Sequence, residues 1–211
     1  MQPDNPFSAP QVELLDAPMQ PVLTGWSRRQ LQVLAMLALV ATLGNAVLVL
    51  LMFASAWLSD SEVAALTRYG DWMSAVLVLV GCYLLMRFKA LIEQRFAASG
   101  LGKSVWLLVG LSLILGMMDF WLGARLFEGL NPITLLYIAL LVLMGGSMVW
   151  LGVGLLRVSV PYPSLRVMAW MNIVGGVLLA SVVFIVLSML PLLASGVAMA
   201  LVFLRAAREL D

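Results

Sequence analysis

Residues 166–205 read RVMAWMNIVGGVLLASVVFIVLSMLPLLASGVAMALVFLR, with an arginine at each end and 38 uncharged residues between them. As one helix this run would be ~57 Å long, nearly twice the ~30 Å hydrocarbon core of a bilayer. It is therefore expected to be two membrane helices, one crossing and one returning, with Arg166 and Arg205 on the same side. Pro191, with Ser195-Gly196 nearby, is the break the sequence offers. That places a fifth span at about 167–188 and a sixth at about 191–204.

The same pattern extends to the rest of the chain. Four more apolar segments precede this run, at about 30–58, 72–86, 104–122 and 133–156. Ten of the 12 basic residues fall at one end of the six segments. Arg28 and Arg29 precede the first. Arg87, Lys89, Arg95 and Lys103 lie between the second and third, Arg157 and Arg166 between the fourth and fifth, and Arg205 and Arg208 follow the sixth. Only Arg68 and Arg125 belong to the other set of loops. Short loops rich in Lys and Arg stay in the cytoplasm. The expected fold is all-α: one six-helix transmembrane domain over residues 28–211, behind a polar tail over residues 1–27, with both termini cytoplasmic.

Composition agrees with a membrane class. The chain is 63% hydrophobic and 11% charged, against roughly 45–50% and 25% in soluble domains. A soluble core of 211 residues has too little interior to hide that apolar surface. The net charge of +1 offers no face for nucleic acid. The chain has no histidine, which excludes His-ligated haem, His-containing zinc sites, Ser-His-Asp hydrolysis and His proton relays. The single cysteine, Cys82, has no disulfide partner and no companion ligands. No phosphate loop, nucleophile elbow or intramembrane carboxylate pair is present. The expectation is a protein without catalytic residues, metal or cofactor.

Two local features qualify the span pattern. Residues 87–98 contain no helix breaker, and Phe88, Leu91, Ile92 and Phe96 share one helical face. The second helix should therefore continue past the bilayer and end near Ser99-Gly100. Segments two, four and six each end in aliphatics and then an arginine: Met86-Arg87, Leu156-Arg157 and Leu204-Arg205. Three tandem helical hairpins would produce this, and so would topology alone.

Ionisable and amide side chains in lipid are costly and mark candidate sites. Three positions stand out: Asn45 in segment one, Asp119 in the outer quarter of segment three, and Asn172 in segment five ahead of Gly175-Gly176. Each has a ligand-binding reading and a plainer one, as an interfacial carboxylate or as helix–helix hydrogen bonding. Gly145-Gly146, Gly152 and Gly154 offer further close-packing faces. Arg87, Lys89, Arg95 and Lys103 are candidate contacts for anionic lipid headgroups. Trp26, Trp57, Trp72, Trp106 and Trp121 lie near segment ends, as interfacial anchors do. The 14 methionines read as scattered apolar filling.

The tail carries Pro3, Pro6, Pro10, Pro18 and Pro21 and no basic start before an apolar run, unlike a cleaved signal peptide. It is either a disordered leader or a segment docking on a partner. Its opening, Asn5-Pro6-Phe7-Ser8-Ala9-Pro10, resembles the Asn-Pro-aromatic-x-x-Pro start of many small, uncharacterised bacterial inner-membrane proteins with several spans. That resemblance implies a bacterial plasma membrane.

These residues point first to one function and, as the alternative, to a second. One is a non-enzymatic structural, accessory or assembly component, associating with another membrane protein or with itself. The other is a small permease or lipid-handling transporter. The first predicts a dry, fully packed bundle. The second predicts a cavity lined by Asn45, Asp119 and Asn172.

Overall fold

The computed structural model describes residues 23–57, 60–98, 100–123, 129, 131–159 and 161–210. Among them it contains six α-helices and no strand: α1 Arg28–Ala54, α2 Asp60–Phe96, α3 Leu101–Leu122, α4 Pro132–Leu156, α5 Pro163–Ala180 and α6 Ile185–Arg208. All six are long and apolar enough to cross a membrane. Large side chains such as Leu43, Leu50 and Met117 stand more than 60% exposed. Apolar surface of that extent on helices of this length is consistent with a multi-pass membrane protein.

The helix starts have local causes. Ser27 accepts a hydrogen bond from the Gln30 N–H and caps α1. Asn131 accepts from the Thr134 N–H at 2.8 Å, and Pro132 follows in the first turn of α4. Pro163 opens α5 in the same way. Gly100, at φ 94°, makes the turn into α3.

Two boundaries differ from the sequence expectation. The second helix begins at Asp60 rather than near Trp72 and runs 37 residues without a break to Phe96. Its acidic first turn reads as a loop by hydropathy, yet acids are favourable at a helix N-terminus. The continuation past Met86 is present, with Phe88, Leu91 and Ile92 all at 1% exposure or less. The break between the last two spans is at Ser181–Phe184, not at Pro191. Ser181 donates to the Leu178 carbonyl and accepts from the Phe184 N–H, and Val182 sits at φ 61°. Pro191 lies inside α6. It lacks an N–H, so the Leu187 carbonyl loses its helical partner.

The helices form a closed ring. Each packs on its sequence neighbours, and α1 packs on α6. The three tandem hairpins that the sequence permits do not stand apart as separate units. The most extensive packing joins α4 to α5, across a hairpin boundary. There a Cβ on Gly145 would come within 2.5 Å of the Gly176 carbonyl oxygen, and one on Gly152 within 2.7 Å of the Ala169 carbonyl oxygen. Gly145, Gly152 and Gly176 are consumed by this close crossing, whereas Gly146 faces outward.

The packing is uneven along the bundle axis. The main core lies at the end where the basic residues collect, around Leu31, Leu34, Phe88, Leu91, Ile92, Val105, Leu155, Leu165 and Phe203. Phe88 and Phe203 meet edge-to-face, their ring centroids 6.2 Å apart. Toward the other end only a small cluster forms around Leu115 and Tyr137. Trp57, Trp72 and Trp121 sit exposed toward that end, Trp106 and Trp170 toward the basic one.

Candidate functional site

The helices border a half-open cavity of about 600 Å³ to which every helix contributes. Its size falls in the ~300–1,000 Å³ range of small-molecule pockets. Each helix supplies one face at helical spacing. On α1 the stripe is Ala38, Thr42, Asn45, Val49 and Met52; on α4 it is Tyr137, Leu141, Met144, Met148 and Leu151. The basic-end core lies below it.

Asn45, Asp119 and Asn172 all line this cavity. They are not equivalent. Asn172 is buried and donates both amide hydrogens, to the Met168 carbonyl at 2.8 Å and to the Ser195 hydroxyl at 2.9 Å. It ties α5 to α6. Asp119 accepts from the Tyr137 hydroxyl at 2.8 Å and ties α3 to α4. Arg125, its other potential partner, lies outside the described residues. Asn45 donates one hydrogen to the Ala41 carbonyl at 2.8 Å. Among the described residues, its second amide hydrogen and its carbonyl oxygen have no partner. The Ser112 hydroxyl, seven residues before Asp119 on the same face of α3, makes no hydrogen bond to a described residue either. The cavity wall thus holds polar groups already engaged, namely Asn172 with Ser195, Asp119 with Tyr137, and Thr42 and Ser188 with backbone carbonyls, and two, Asn45 and Ser112, that a guest can satisfy.

The rest of the wall is apolar and soft. Met52, Met144, Met148, Met168, Met189 and Met199 line it, six of the 14 methionines. Unbranched thioethers adapt to irregular guests. The sequence reading treated them as scattered; their helical phase, taken helix by helix, carries the signal. Cys82 also lines the cavity, which places the sole thiol of the chain on its wall.

The basic end is a second polar assembly. Arg95 donates through Nε to Glu209 at 2.8 Å and to the Tyr162 hydroxyl at 3.3 Å. Tyr162 donates to the same Glu209 carboxylate at 2.6 Å. Burial, reinforced by that carboxylate, pushes the Tyr162 phenol up to about 12, with Arg95 opposing the shift. Phe96 packs edge-on to the Tyr162 ring at 5.0 Å. The ends of α2 and α6 are thereby fastened to the α4–α5 turn.

This assembly redistributes the four candidate lipid contacts. Arg95 is engaged with Tyr162 and Glu209, and Lys89 pairs with Glu93 at 2.8 Å. Arg87 lies over the Trp26 ring at 4.4 Å, while Trp26 donates to Gln94. Arg87 Nε is buried with no hydrogen-bond partner among the described residues. Lys103 is exposed. Of the four, Arg87 and Lys103 thus make no ion pair with a described residue. Sequence reasoning missed Tyr162 and Glu209, whose residue types are ordinary at an interface.

No protein-family model matches the chain, and neither does any curated protein or solved structure.

Proposed function

We propose that this multi-pass membrane protein is a small permease or lipid-handling protein, working without catalysis or a cofactor. The observation that carries the reading is the cavity: all six helices border it, and the three intramembrane polar positions converge on it. A guest that is mostly apolar, with one hydrogen-bonding group, matches the wall. Methionines accept the apolar part, and Asn45 and Ser112 offer donors and acceptors to the polar part. In this reading the chain sits in a bacterial plasma membrane with its basic end in the cytoplasm, following the bias of ten basic residues to one side. The packed core then closes the cytoplasmic end of the cavity.

The accessory reading needs a sticky exterior, and Gly145, Gly152 and Gly176, which could supply part of one, are instead turned into the α4–α5 contact. The test is mild-detergent purification of the tagged chain, followed by native mass spectrometry. A lipid or small molecule bound at fixed stoichiometry, and lost in Asn45→Leu, is the expected result. A stoichiometric membrane-protein partner with no bound small molecule would overturn the proposal in favour of an accessory role.

A further inference from the structure

A second groove, of about 360 Å³, runs between the far half of α1 and the first turns of α6, and every described residue lining it is apolar. It shares Val49, Met189 and Leu193 with the central cavity. Its other lining includes Phe53, Phe184 and Leu190, which are 52%, 53% and 66% exposed. Those three side chains therefore border both groove and cavity.

The geometry on either side explains why the ring is thin here. Near the middle of the bundle α1 and α6 are in tight contact, since a Cβ on Gly196 would come within 2.3 Å of Thr42 Oγ1. Beyond that contact α6 reaches Pro191, where one helical hydrogen bond is missing. The segment Ile185–Leu190 lies between this proline and the turn that contains Val182 at φ 61°, and no side chain caps it. It is held less firmly than the lower part of α6, where Val202, Phe203 and Ala206 are fully buried. Weakly held helix ends are where proteins open locally.

From this arrangement we infer that the α1–α6 groove is a lateral portal, through which the acyl chain of a bilayer lipid passes into the central cavity. The occupant follows from the surroundings. The groove belongs to helices with the length and apolarity of membrane spans, so lipid tails are what bathes it. The described side chains that line it offer no polar group to hold water or an ion. It continues into a cavity whose polar groups, Asn45 and Ser112, can receive the polar part of the same molecule. Val49, Met189 and Leu193 are the gate, and the Ile185–Leu190 segment is the leaf that moves. The inference rests on the cavity being a binding site, and it adds the ligand class and the route.

The experiment reconstitutes the full chain in vesicles doped with a phosphatidylcholine carrying a diazirine on its acyl chain, then maps adducts by mass spectrometry. Adducts are expected at Val49 and Met189, and also at Met148 and Met168, which line the cavity but not the groove. Val49→Trp should abolish the Met148 and Met168 adducts while sparing those on outward residues such as Met36 and Met117. Leu193→Ala should increase the deep adducts, which guards against a misfolded tryptophan variant. Deep adducts that persist in Val49→Trp and do not rise in Leu193→Ala overturn the portal but leave the cavity as a binding site. No deep adduct in the wild-type chain overturns both the lipid and its route; a bound small molecule in the purification test would then still uphold the cavity.

Discussion

At the scale of single residues, the structure separates polar groups that fasten helices from polar groups that await a guest. Asn172 fastens. Replacing it with leucine removes the bond to Ser195 and should lower stability by about 0.6–1.7 kcal/mol, the usual size of an interhelical hydrogen bond in a membrane. Thermal unfolding in detergent, followed by tryptophan fluorescence, would register this. Tyr162 also fastens, and it does so with a pH signature. Its pKa is raised to about 12 in the folded chain, above the ordinary phenol value near 10. The unfolded chain therefore loses the proton first, and the stabilisation is full below pH ~10 and disappears as pH climbs toward ~12. The melting temperature should fall across that window in the wild type and fall less in Tyr162→Phe; parallel curves would refute the assignment. Asn45, Asp119 and Asn172 were legible in the sequence because polarity in lipid is conspicuous. Ser112, Ser195 and Tyr137 were not, since hydroxyls are common in membrane helices and only the packing shows which cavity or partner they face.

At the scale of elements, helix length and type were largely legible from hydropathy, and the errors have a common origin. Hydropathy marks where lipid begins, not where the backbone stops being helical. It therefore missed the first turns of α2 and misplaced the α5–α6 break, where no glycine or proline signals the turn. Pro191 attracted the break because a proline inside a helix is costly in water, whereas membrane bundles tolerate it. Pro191→Ala should stiffen the start of α6, measurable as slower hydrogen exchange at the amides of 188–194; unchanged exchange would show that the proline does not loosen this segment. The α4–α5 contact permits a sharper comparison. Gly176→Ala places a methyl about 2.6 Å from the Gly145 carbonyl oxygen and should cost 1–3 kcal/mol or more. Gly146→Ala meets nothing within 4 Å and should be neutral or slightly stabilising. Melting curves of the two variants that coincide would contradict the packing described.

At the scale of the molecule, the sequence specifies an even number of crossings and an asymmetric charge, but not the closure of the ring. Closure depends on α1 meeting α6, a contact between residues far apart in the chain, with no charge or motif to announce it. The cavity follows from closure, so the sequence offers its three polar positions as one of two alternatives, and the rest of its wall emerges only once the helices are placed. Orientation can be tested directly on a Cys82→Ser background. An impermeant maleimide added to intact cells should label Thr67→Cys and reach Ser159→Cys only after permeabilisation. The reverse pattern would invert the proposed topology. Closure also makes the order of the helices along the chain partly dispensable. Leu23 and Leu210, near the two ends of the described chain, belong to the same core cluster. A circular permutant with these ends joined by a flexible linker and a new start at Ser159 keeps every helix neighbour and leaves its new termini on the basic side. It should insert and melt much as the parent does. One reopened at Val182 must send its new termini to the opposite face, and should fail to insert.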